Sequence, residues 1–315
     1  MKSSLPLFKF LKTSIEFLRL RGSLFERGYT INFELDGLRP PTQLSSAGLL
    51  IKKDICYHPK PDKNQSLQSL DVYAPESAPV NGLYPVILFM HGGGWRASDK
   101  NDPLGVHANV CKALAARGLV ALNVNYRLAP RVKHPEPARD AAYAVRWTRQ
   151  NISEYYGNPE RLFISGHSAG GHLGALIALN ATYLDGIGLS VAAIKGAVGI
   201  CGVYNLSHFA GRNWMAEHLM TRAAFGKDHG LRAQASPVHH VRAGAPPFLL
   251  LNAQEDEKLE EEADELSTLL HNQGVSAETS IISGTNHFTI LSLVGNGNDT
   301  LIDRMAEFVR VVSSQ

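Results

Sequence analysis

Apolar and polar positions along the chain alternate in a βα rhythm. β-type runs at residues 48–58 and 67–74, separated by the turn-rich Pro59-Lys-Pro-Asp-Lys-Asn64, predict an opening hairpin. Tyr84-Pro-Val-Ile-Leu-Phe-Met90 is a continuous apolar strand of the kind buried on both faces of a parallel sheet. A helix-like stretch at 106–117 is closed by Gly118, and 119–125 reads as a further strand. The pattern then predicts a helix over 138–152, a strand at 162–164, a buried helix ending at Leu179, and strands at 194–201, 246–251 and 277–282. Leu259, Ala263, Leu266 and Leu270 mark one helical face before Gly274, and 299–312 reads as a closing helix. Repeated β–α units imply a mostly parallel sheet with right-handed crossovers and helices on both faces. Only the stretch 204–235 breaks the rhythm, which predicts an inserted helical cap.

At the N-terminus, Phe8, Leu11, Ile15 and Leu18 share one helical face among Lys2, Lys9, Lys12, Arg19 and Arg21. Lys9 and Lys12 interrupt any signal-peptide core, so this basic amphipathic helix is expected to be retained and to dock on its own protein, with contact to a membrane surface as the alternative. No apolar run reaches the roughly 18 residues that a transmembrane helix needs. The chain has 315 residues, 44% of them hydrophobic, and a net charge of +2, which excludes a disordered chain and a polyanion or nucleic-acid partner. One domain, 1–315, with cap elements at about 1–45 and 205–235, is the simplest division. Cys56, Cys111 and Cys201 are odd in number and far apart, and are expected to be free, buried thiols of a cytoplasmic protein. Monomer and homodimer both remain open.

Candidate chemistry centres on Gly166-His-Ser168-Ala-Gly170, between the strand at 162–164 and a small-residue helix. This is a nucleophile elbow: glycines two before and two after the serine permit a turn so tight that the Ser168 hydroxyl stands above the sheet. A serine nucleophile needs a neutral imidazole and an anion to fix its tautomer. His287 lies in the loop after the last strand and Asp256 in the loop after the preceding one, so both share the carboxyl edge with Ser168. His167 and His172, beside the nucleophile, are badly placed to reach back to its hydroxyl. His91-Gly-Gly-Gly-Trp95, directly after a central strand, offers backbone amides to a ligand.

Taken together, His91-Gly-Gly-Gly-Trp95, Asn125-Tyr-Arg-Leu-Ala-Pro130, His134-Pro135, Gly166-His-Ser-Ala-Gly170, Ser236-Pro237, Pro246-Pro-Phe248, Asp256 and His287 resemble the hormone-sensitive-lipase-like branch of the α/β-hydrolase esterases. The resemblance implies an oxyanion hole from the amides of Gly93, Gly94 and Ala169, where one donor is typically worth about a hundred- to a thousandfold in rate. It also implies a cap over the site, and an enzyme with neither metal nor cofactor. The family pattern around the acid, His-Gly-x-x-Asp, is here Asn252-Ala-Gln-Glu-Asp256, so Glu255 and Glu257 compete with Asp256. Trp95 is also similar to kynurenine formamidases and feruloyl-esterase-like members. The expected function is hydrolysis of short-acyl or aryl carboxylic esters, small-molecule substrates contacted by Trp95, Phe209, Trp214, Met215 and Phe288. An arylformamidase or carbamate-type amidase, and a hydrolase-fold receptor, are the alternatives. Arg127 and Asp140 are expected to pair within the scaffold.

Overall fold

The computed structural model describes residues 42–314, apart from Asn64, Asn213, Glu257 and Asn298. The basic amphipathic segment, and nearly all of the cap element expected at 1–45, lie outside the described residues. Eight strands form one sheet: β1 (Leu49–Cys56), β2 (Ser69–Pro75), β3 (Tyr84–Met90), β4 (Val120–Val124), β5 (Gly157–His167), β6 (Ile194–Ile200), β7 (Phe248–Glu255) and β8 (Ala277–Asn286). Their spatial order is β1-β2-β4-β3-β5-β6-β7-β8. β2 runs antiparallel to both β1 and β4, and all other pairs are parallel. The expected opening hairpin is therefore present.

The central strands are apolar because they are covered on both faces: Val86, Ile87, Leu88, Phe89 and Met90 of β3 are all buried. Five longer helices pack around the sheet: α1 (Val106–Ala116), α2 (Glu136–Asn151), α3 (Ala169–Leu179), α4 (Leu259–Asn272) and α5 (Thr300–Ser313). α1 meets α5, and α2 meets α3. Every residue of α3 is buried, so its lack of a polar face follows from its position. In α4 the predicted stripe of Leu259, Ala263, Leu266 and Leu270 is the buried one.

Between β6 and β7 the rhythm breaks into short helices, Leu206–Arg212, Arg222–Phe225 and His229–Gln234, with a π-helical turn at Ala216–Thr221. This insertion is tied to itself by a two-fold clasp: Arg232 Nη1 and Nη2 donate to Glu217 Oε2 and Oε1 at 2.7 and 2.9 Å. Arg127 donates through Nε and Nη2 to the buried Asp140, both at 2.8 Å, which makes the pair a scaffold element. One expectation is corrected. Cys111 and Cys201 are buried, but Cys56, at the end of the outermost strand β1, is exposed.

Candidate active site

Parallel strands deliver their carboxyl ends to one edge, and four of the loops there carry the candidate chemistry. At the end of β5 the chain reverses through Ser168, at φ 54° and ψ −116°, and enters α3 one residue later. That backbone is uncommon for a residue with a side chain, and it is held by its surroundings. A Cβ on Gly166 would lie 2.3 Å from the carbonyl carbon of Gly170, and one on Gly170 would lie 2.2 Å from the Met90 oxygen. The Ser168 amide donates to Ile200 O at 2.8 Å, which seats the turn against β6.

β7 and β8 end in register, Glu255 opposite Asn286, so the next residues, Asp256 and His287, emerge side by side. His287 Nδ1 lies 2.7 Å from Asp256 Oδ1. The other carboxylate oxygen accepts from Asn252 Nδ2 at 2.8 Å and from the Ala253 amide at 3.3 Å. Burial pushes the Asp256 carboxyl up, but the hydrogen bond from His287, its charge, and bonds from Cys201 and Asn252 outweigh this and hold it below its ordinary value. With an ionised carboxylate at Nδ1, that nitrogen carries the proton and Nε2 keeps its lone pair. Glu255 is exposed. Glu257 lies outside the described residues.

The glycine loop reaches Ser168 from β3. A Cβ on Gly92 would come 3.3 Å from the Ser168 Cβ. Gly93, Gly94 and Trp95 follow with positive φ of 106°, 60° and 59°. Among the described residues the amides of Gly93, Gly94 and Ala169 have no hydrogen-bond partner. The loop is anchored at its start, where Tyr126 Oη donates to His91 O at 2.8 Å and stacks on the His91 ring, with centroids 4.5 Å apart.

The expected substrate contacts separate. Trp95 is 1% exposed; its Nε1 donates to His172 Nδ1 at 3.2 Å, and its ring meets Phe209 and Phe225 edge-on. Trp95 therefore packs beneath the loop, with Phe209 half-buried beside it. Phe288 is 45% exposed, with its ring 5.1 Å from that of His287. Met215 is half-buried, whereas Trp214 is 63% exposed and stacks on His218 instead.

Three residues near the site carried no usable signal. His172 joins loop to insertion, since its Nε2 donates to Ala235 O at 2.8 Å while Nδ1 accepts from Trp95. Met220, from the π-helical turn, would be 3.0 Å from a Cβ on Gly94. His167 places Nε2 2.8 Å from the His287 carbonyl. Each contact spans tens of residues in sequence, and nothing in local spacing announces it.

Donor atoms of His167, Cys201 and His287 lie within 4.8 Å of one another. They do not suit a metal well: burial and the neighbouring Asp256 carboxylate push the Cys201 thiol up, away from the thiolate a metal needs.

Residues 70–273 match the family model described as BD-FAE. The chain is 31% identical over 211 residues to the esterase LipQ of Mycobacterium tuberculosis, covering 64% of this chain and 48% of LipQ. It is 26% identical over 277 residues to the isoprenylcysteine alpha-carbonyl methylesterase ICME of Arabidopsis thaliana, covering 82% of this chain and 62% of that protein. The chain thus spans about half the length of the mycobacterial relative it matches. Among solved structures, esterase B from Lactobacillus rhamnosis superposes with a TM-score of 0.74 over 98% of this chain and 97% of the other at 19% identity, which shows the α/β-hydrolase fold. An esterase from Pyrobaculum calidifontis superposes with a TM-score of 0.64 at 25% identity, over 78% of this chain and 81% of the other. The kinship with α/β-hydrolase esterases expected from the motifs is borne out.

Proposed function

Since the chain belongs to the BD-FAE family, we propose that it is a serine carboxylic-ester hydrolase acting on short-acyl or aryl esters through an acyl-enzyme. The observation that carries the reading is the Asp256–His287 pair at 2.7 Å, on the sheet edge where Ser168 tops a left-handed elbow. In this mechanism Ser168 Oγ attacks the ester carbonyl as its proton passes to Nε2 of His287. Ionised Asp256 at Nδ1 fixes the tautomer and stabilises the imidazolium that forms. The oxyanion is met by the amides of Gly93, Gly94 and Ala169, with the positive end of α3 behind the last. Collapse of the tetrahedral species expels the alkoxide, which takes the proton back from His287. A water deprotonated by the same imidazole then hydrolyses the acyl-serine.

The helical segment Leu206–Gln234 serves as the cap, and the compartment we assign is the cytoplasm. Among the described residues no helix is long and apolar enough to cross a membrane. The alternatives, amidase and receptor, find no counterpart in the names of the relatives above. The test is incubation with a chromogenic short-chain ester and with a serine-directed phosphonate. Turnover, and one equivalent of label on Ser168, are expected; no turnover and no label would overturn the reading.

A further inference from the structure

The residue before the nucleophile is wedged between all three parts of the site. His167 is the last residue of β5 and is 6% exposed. Its Nε2 lies 2.8 Å from the main-chain oxygen of His287, and the two rings are tilted by 46° with centroids 4.7 Å apart. On its other side, a Cβ on Gly92 would come 2.7 Å from His167 Nδ1. One residue thus touches the glycine loop with its ring, precedes Ser168 in the chain, and holds the backbone of His287.

We propose that His167 is a positioning residue: its Nε2–H donates to the His287 carbonyl and fixes the base relative to Ser168 and the Gly92 loop. The inference rests on the reading of His287 as base. A carbonyl oxygen can only accept, so His167 must carry its proton on Nε2 and keep Nδ1 as a lone pair toward Gly92. Burial, reinforced by repulsion from His287, lowers its pKa to about 3, so it stays neutral at working pH. Neutrality matters because Nε2 of His287 becomes cationic during attack, and a second charge 4.7 Å away would oppose that step. Asp256 holds the His287 ring and β8 holds the residue before it, whereas His167 ties the His287 main chain to the strand that carries Ser168; displacement of a general base by about an ångström costs on the order of a hundredfold in rate.

The distance from backbone to donor decides the test. Glutamine can place an amide N–H about where His167 Nε2 stands, whereas leucine fills the space without a donor. His167→Leu is expected to lower kcat roughly tenfold to a hundredfold with KM within about twofold, and His167→Gln to recover most of the loss. Phosphonate labelling of Ser168 should slow in parallel with kcat. If the leucine variant does not fold, His167→Asn, polar but too short to reach His287, takes its place. Equal activity of the glutamine variant and the leucine or asparagine variant, or a loss confined to KM, would overturn the proposal while leaving the esterase reading intact. A wild-type chain that neither turns over ester nor takes label would sink both.

Discussion

Nδ1 of His287 and Oδ1 of Asp256 are 2.7 Å apart because Glu255 and Asn286, the residues just before them, are paired across β7 and β8. The pairing brings Asp256 up to the imidazole. Asp256 is buried with a carboxyl held below its ordinary value, while Glu255 is exposed. Replacing Asp256 by Asn supplies an amide that favours the wrong histidine tautomer, so kcat should fall by about 10⁴-fold with the fold intact. Glu255→Gln should change it by less than about twofold. Steady-state kinetics on a nitrophenyl ester decides, and a larger loss from Glu255→Gln would refute the assignment.

The elbow allows a second test, one of stability. Ala at position 170 would drive its Cβ into the Met90 backbone oxygen at 2.2 Å, and neither partner can move without breaking the junction of β3 with α3. Gly170→Ala is therefore expected to cost at least about 2 kcal/mol. Gly211, in the helix Leu206–Arg212, has nothing within 4 Å of the same atom, so Gly211→Ala should be neutral or stabilise by up to about 1 kcal/mol. Urea midpoints would show the contrast, and equal effects would contradict it.

Legibility in the sequence followed burial. Tyr84–Met90 is read to the residue because a strand covered on both faces is apolar throughout. β5 begins at Gly157, five residues before its apolar run, because Asn158 to Arg161 sit at the less covered end of the strand and carry polar side chains. α2 starts at Glu136 although Pro137 follows, since a first-turn proline gives up no helical hydrogen bond. The insertion was visible only as broken rhythm; its π-helical turn at Ala216–Thr221 leaves no periodic signature. In the site, the Ser168, Asp256 and His287 candidates were legible because the parallel sheet delivers successive strand ends to one edge, which in the α/β-hydrolase topology puts them in that order along the chain. The ties made by His167, His172 and Met220 were not, because they depend on how distant loops meet.

Three buried histidines, His91, His167 and His172, and the half-buried His134 make stability depend on pH. Burial is the first cause in each case, and it lowers His91 and His134 to about 4 and His167 and His172 to about 3, from an ordinary 6.5. For His134, Arg139 and His240 add repulsion. The unfolded chain takes up protons on these rings below about pH 6.5 while the folded chain does not, so stability is full above that value and falls as the pH drops toward 3 to 4. Each ring contributes a slope of up to about 1.4 kcal/mol per pH unit. Between pH 5.5 and 6.5 the lowered carboxylates Asp54, Glu160, Glu217, Asp256 and Asp299, with ordinary values of 3.8 to 4.5, are ionised in both states, and the raised Glu262 acts with the opposite sign, so the fall there belongs to the histidines. Urea midpoints flat from pH 8 to 7 and decreasing below 6 are expected; an unchanged midpoint at pH 5 would be evidence that these rings are accessible to protons.

The last prediction concerns acyl length. Met220 leans on the glycine loop, with Cγ, Sδ and Cε at 3.0, 3.2 and 3.6 Å from the position of a Cβ on Gly94. Arg96, two residues further along the loop, donates through Nη1 to Leu219 O at 2.6 Å, so the turn carrying Met220 is tethered to the loop it covers. If the Gly93 and Gly94 amides bind the oxyanion as proposed, a thioether held there takes space from the acyl chain. The wild-type chain should therefore prefer acyl groups of about two to six carbons, since each further methylene, worth roughly 0.8 kcal/mol when buried, has no room to be buried. Met220→Ala removes three side-chain heavy atoms and makes room for about two methylenes, which corresponds to roughly a tenfold gain in kcat/KM for the octanoate ester relative to the butyrate ester. Nitrophenyl esters from acetate to palmitate, assayed without detergent, measure both profiles. A wild-type maximum at twelve carbons or more, or a Met220→Ala profile parallel to that of the wild type, would remove Met220 from the acyl pocket.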